Sequence, residues 1–123
     1  MNKIELNNRN NLNSNNSERI VFYNYDYKKV AVIIHAIHHK LRQDIIKLID
    51  KNPNIIVSDI YKKLRVEQST CSQHLAILRR AGVLRTKRLG KNVMYDVNFN
   101  RVNEINQFVK LILNSSKDSD IIE

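Results

Sequence analysis

Residues 68–91 read QSTCSQHLAILRRAGVLRTKRLGK, and a change of period inside this stretch decides the fold. As far as Arg80, the apolar residues Cys71, Leu75 and Leu78 recur at i, i+4 and i+7, the spacing of one buried stripe on a helix. Gly82 then fits a C-terminal cap, because a residue without Cβ adopts positive φ readily. From Val83 the period becomes two. Strands are predicted over Val83 to Leu89 and Asn92 to Asn98, joined at Gly90-Lys91 by a hairpin.

The helix face opposite that stripe offers Ser69, Thr70, Ser72, Gln73, Ala76 and Arg80. Short side chains let a helix sit deep in a groove, and the Gln73 amide has the donor and acceptor that read adenine. Ser69, Thr70 and Ser72 can reach bases or phosphates. His74 can do the same or pack at the helix edge, and its neighbours favour a place near DNA. Between Arg79 and Lys91 stand Arg79, Arg80, Arg85, Lys87, Arg88 and Lys91, with no acid among them. A hairpin so charged is expected against the phosphate backbone or in the minor groove. Either feature alone is equally well read as solvated surface; together, in this order, they point to a nucleic acid.

Upstream, Arg65-Val66-Glu67 forms a three-residue turn after a short helix, Val57 to Leu64, that sets Val57, Ile60, Tyr61 and Leu64 on one side. Such a pair followed by a hairpin has the parts of a winged helix-turn-helix. Before it, a helix over His39 to Lys51 aligns Leu41, Ile45, Leu48 and Ile49, and Asn52-Pro53-Asn54 ends it. A first helix is expected from Tyr27, capped by Asp26. It carries Val30, Val32, Ile33, Ile34, Ala36 and Ile37 around nearly its whole circumference, more than one small core absorbs, so a partner subunit is expected to cover the remainder. A last helix, Arg101 to Leu113, is amphipathic through Val102, Ile105, Phe108, Val109 and Ile112. The expected order is α-α-α-α-β-β-α: mainly α, with a small antiparallel hairpin.

Residues 1–20 are rich in asparagine and too poor in apolar side chains to offset ordering entropy, so they are expected to form a flexible tail. The DNA-binding and dimerisation domain is placed at 21–114, with a polar tail over 115–123. The 123 residues suit one domain, and a net charge of +9 favours a polyanionic partner. The single Cys71 excludes an internal disulfide and any Cys-x-x-Cys site. The longest apolar run, Val30 to Ile34, is far short of a bilayer span, and the N-terminus lacks a signal peptide's apolar core. No membrane partner and a cytoplasmic location are therefore expected.

The run Gln68 to Leu75, continued by Leu78-Arg79-Arg80-Ala81-Gly82-Val83-Leu84, resembles the recognition segment of the ArsR/SmtB family of bacterial repressors. Lys40-Leu41-Arg42-Gln43-Asp44-Ile45-Ile46 and the wing Gly90-Lys91-Asn92-Val93-Met94-Tyr95 are similar to that family too, so the likeness runs from about Asp26 to Leu113. The resemblance implies a homodimer joined through its first and last helices, bound to a two-fold symmetric operator on double-stranded DNA, and a repressor released by an effector. Nothing in the residues names that effector.

Many members of the family sense metals. The thiolate site at the start of the third helix needs Cys-x-Cys, and the matching positions here are Ile56 and Ser58. The site on the last helix needs carboxylates and imidazoles, yet only Glu104 is present, with Phe99 and Arg101 at the entrance, where an arginine repels a cation. His35 and His39, at i, i+4 with His38 beside them, could hold zinc on a single helix. Their spacing straddles the break between the first two helices, and packing or dimer contacts explain them better. Cys71 is a candidate redox switch, though a buried lone cysteine is ordinarily a small hydrophobe. No cofactor is expected. A protein-docking winged helix would expose apolar residues on the fourth helix, where mainly small polar ones stand. Without a glycine-rich phosphate loop, a Ser/His/Asp set or paired carboxylates, no enzyme is expected.

Overall fold

The computed structural model describes residues 19–115. Most of the expected Asn-rich tail and all but the first residue of the expected C-terminal tail lie outside the described residues. The chain divides into two compact units between Ala31 and Val32. In the first, the Phe22 and Tyr27 rings stand 6.0 Å apart and Lys29 Nζ lies 4.7 Å above the Tyr25 ring.

In chain order the elements are α1 Asn24–Ile37, α2 Lys40–Lys51, β1 Ile55–Ile56, α3 Val57–Leu64, α4 Gln68–Arg80, β2 Leu84–Leu89, β3 Asn92–Val97 and α5 Phe99–Ser115. This is the expected order with one strand added. β1 pairs with β3 (Ile55 opposite Tyr95, Ile56 opposite Met94), so the hairpin becomes a three-stranded antiparallel sheet of order β1-β3-β2. Two residues carry no readable alternation, and the pairing arises only because the chain turns at Asn54, φ +63°, whose N–H donates to Asp96 Oδ1 at 2.8 Å. Two helix starts also move. α1 begins at Asn24, so Asp26 lies inside its first turn instead of capping it. α5 starts at Phe99, where Asn98 takes the cap position: its carbonyl accepts from Arg101 and Val102 N–H, and its Oδ1 lies 3.4 Å from Arg101 N.

α4 ends as its glycine demands. Gly82 sits at φ +75°, its N–H donates to Arg79 O, and the Val83 N–H reaches back to Leu78 O; this is the Schellman pair that closes the last carbonyls. Gly90 takes φ +62° at the first central position of the β2–β3 turn while Lys91 stays at negative φ, as a type II′ turn requires.

Ile45 and Ile49 of α2, Ile60 of α3, Cys71, Leu75 and Leu78 of α4, and Val83 and Leu84 at the wing's base form one closed core with Ala36. Burying each of the larger aliphatic side chains contributes about 1.5–3 kcal/mol. The consequence for α4 is rigidity on one flank only.

Candidate nucleic-acid interface

The stripe expected to hold α4 is sealed: Cys71 and Leu78 are 0% exposed and Leu75 1%. On the other flank Ser69, Ser72, Gln73, Arg79 and Arg80 are exposed, and Thr70, His74 and Ala76 are half-buried. The N-cap of α4 is Glu67, whose side chain makes no cap bond, and the first turn itself holds no acid, so no side chain caps its first N–H groups.

Strand register places the charges of the wing. Residues directly opposite one another in an antiparallel pair share a face. Thr86 and Arg88 therefore lie on the face of Tyr95 and Val93, while Arg85, Lys87 and Leu89 lie on the other, with Asp96, Met94 and Asn92. All of Arg85 to Lys91 is exposed, so the ribbon is positive on both faces and at its turn. Arg85 differs from the rest, because its Nη2 donates to Asn98 Oδ1 at 3.1 Å and ties it to the wing's base.

His74 is drawn inward. Its Nδ1 lies 3.2 Å from Arg42 Nη1, and its ring centroid is 4.7 Å from that of His39. Burial, then the charges of His39 and Arg42, hold its pKa below the ordinary imidazole value. Sequence reasoning did not single out Arg42. The signal was present: a charged residue three and seven positions before the core residues Ile45 and Ile49 must itself face inward.

The two remaining candidates are placed as follows. His35 belongs to α1, whereas His39 caps α2 and accepts from Leu41 N–H on Nδ1 at 3.2 Å. Among the described residues no group of three or more His, Cys, Asp or Glu is gathered as a metal ion would need. Cys71 is fully buried, and burial pushes its thiol pKa up, so little reactive thiolate is present. Burial likewise raises the Tyr95 phenol, with Arg79 partly opposing it. Also among the described residues, no helix is long and apolar enough to cross a membrane.

Comparison with known proteins agrees with this geometry. The family described as "Bacterial regulatory protein, arsR family" matches residues 39–86. The HTH-type transcriptional regulator MJ1325 of Methanocaldococcus jannaschii is 35% identical over 86 residues, which is 70% of this chain and 93% of that protein. The transcriptional activator HlyU of Vibrio cholerae is 31% identical over 74 residues, 60% of this chain and 68% of its own length. The crystal structure of the transcriptional repressor PagR of Bacillus anthracis superposes with a TM-score of 0.57 at 28% identity, covering 69% of this chain and 97% of that one.

Proposed function

Because the chain belongs to the ArsR family of DNA-binding transcriptional regulators, we propose that it is a homodimeric repressor that occupies a two-fold symmetric operator. The observation that carries the reading is the free flank of α4 beside a wing charged on both faces. In this reading Gln73 reads a base edge, and Ser69, Thr70, Ser72 and His74 contact bases or phosphates. Arg80, Lys87, Arg88 and Lys91 neutralise phosphates, and Arg85 orients the wing while adding charge to it.

Dimerisation is supported by apolar surface exposed among the described residues of one protomer. Val32 and Ile34 of α1, and Phe108, Val109, Leu111 and Leu113 of α5, are all exposed. Two α4 helices related by a dyad would meet half-sites about 34 Å apart, one turn of B-DNA. Residues 21–114 would then carry both activities, and a chain trimmed to that span is expected to keep dimer and operator binding. In this reading repression follows from occupying the operator; PagR is named a transcriptional repressor. HlyU is named an activator, so a reporter fused to the selected promoter decides the sign.

The residues at the family's metal positions, Ile56, Ser58 and Arg101, support a regulator that responds to something other than a metal at those sites. The deciding experiment is selection of bound duplexes from a random pool, repeated with metals, oxidants and chelators. Enrichment of an inverted repeat supports the proposal. A pool that stays random contradicts it.

A further inference from the structure

Arg42 is the one charged residue buried among the described residues, 5% exposed. Each of its three guanidinium nitrogens has a partner. Nε donates to Ala36 O at 2.7 Å and Nη2 to His35 O at 3.1 Å, filling carbonyls that the end of α1 leaves open. Gln43 Nε2 donates nearby to Ile37 O at 3.1 Å, a carbonyl that also accepts from His39 N–H. The negative end of the α1 dipole offsets part of the cost of burying the charge. The remaining nitrogen, Nη1, faces His74 Nδ1 on the recognition helix.

An arginine has donors and no acceptor, so in this contact His74 Nδ1 accepts. A neutral imidazole that accepts on Nδ1 carries its proton on Nε2. That nitrogen has no partner among the described residues and is not among the buried polar atoms left without one, so it opens to solvent. His39, its ring centroid 4.7 Å away and tilted by 50°, is held the same way, with Nδ1 accepting from Leu41 N–H.

We propose that Arg42 is a positioning residue: it locks His74 in the Nε2-protonated form, so that the recognition helix offers the duplex a neutral contact that can only donate. The inference rests on the DNA-binding reading of α4. The acceptor it fits is an oxygen or N7 of the duplex, on a base edge such as guanine O6/N7 or thymine O4, or on a phosphate. By the same bonds, the end of α1 is joined to the recognition helix through a single side chain.

The test uses the full chain, the duplex selected above and a random duplex. His74→Asn keeps an acceptor near the Nδ1 position for Arg42 and removes the outward donor. It is expected to weaken binding to the selected duplex about tenfold. Loss confined to the selected duplex identifies a base edge, and equal loss on both identifies a phosphate. Nitrogen NMR of the imidazoles reads the tautomer directly: His74 is expected to be Nε2-protonated in the parent and a mixture in Arg42→Met. The His74→Asn arm stands without the Arg42 variant, should the latter fold poorly. An Nδ1-protonated His74 in the parent, or unchanged affinity in His74→Asn, overturns the proposal. If Gln73→Ala weakens specific binding while His74→Asn does not, this inference alone falls. If no duplex is selected at all, the reading of α4 falls and takes the inference with it.

Discussion

Asn98 Nδ2 donates to the carbonyl of Gly82 at 2.9 Å, while its Oδ1 accepts from Arg85 Nη2 at 3.1 Å. One amide thus joins the end of the recognition helix, the base of the wing and the first turn of α5. That junction adds to the buried Val83 and Leu84 in holding the wing against α4, because the residue that caps the helix and the ribbon's first arginine are bonded to the same side chain. Asn98→Ala leaves the partly buried Gly82 carbonyl without this donor, and should cost about 1–3 kcal/mol in a denaturant titration. Asn98→Asp keeps the acceptor for Arg85 but sets a carboxylate oxygen against the Gly82 carbonyl, so it should not restore the loss.

Gln73 is exposed on the flank of α4, and its side-chain amide makes no hydrogen bond to another described residue. Gln73→Ala should therefore leave stability within about 0.5 kcal/mol. In binding it should cost about 1–3 kcal/mol and relax preference at one base pair of each half-site. Equal weakening on specific and random duplexes would show that Gln73 does not read a base.

Arg88 and Lys91 lie at the exposed end of the wing, Arg88 on one face and Lys91 in the turn. Replacing either with alanine should weaken binding to all duplexes alike. The slope of log K against log salt should become shallower by about 0.9 for each phosphate that is no longer neutralised. An unchanged slope would place the wing away from the backbone.

Ile34 of α1 remains 36% exposed in the protomer, on the face that the dimer reading covers. In a two-fold interface one substitution acts twice. Ile34→Lys should raise the dimer dissociation constant on the order of a hundredfold, which light scattering over a dilution series would register. A mass that stays dimeric on dilution would move the interface elsewhere.

Acid should destabilise the protein through His74. Its native pKa lies below the ordinary value of 6.5, so on the acid side the unfolded chain binds the proton first. Stability from this group is complete above the unfolded value and is lost as pH falls from there toward the native one. Protonation would also put a hydrogen on Nδ1, facing the Arg42 guanidinium. Thermal melts between about pH 7 and pH 5 should therefore fall less steeply for His74→Asn than for the parent. Parallel curves would show that the contact has no such energetic weight.

Much of this could be read along the chain. The order of helices and the hairpin and the split of α4 into a sealed and a polar flank follow from periodicity, and the Gly82 cap from glycine's missing Cβ, both local properties. The ends of elements were less legible. α1 and α5 start where backbone and cap bonds place them, earlier than the apolar pattern suggests, and β1 is too short to show any pattern.

Local spacing determined which side chains α4 turns inward and which it leaves outside, because 3.6 residues per turn allow only one face to be buried against a core. What the chain order could not show is which distant groups meet. Arg42 touches His74 across 32 positions, Asn54 touches Asp96 across 42, and Asn98 returns to Gly82 across 16. Those contacts arise from packing of separate elements, and a polar side chain's partner, unlike an apolar one's burial, depends on where a single atom ends up.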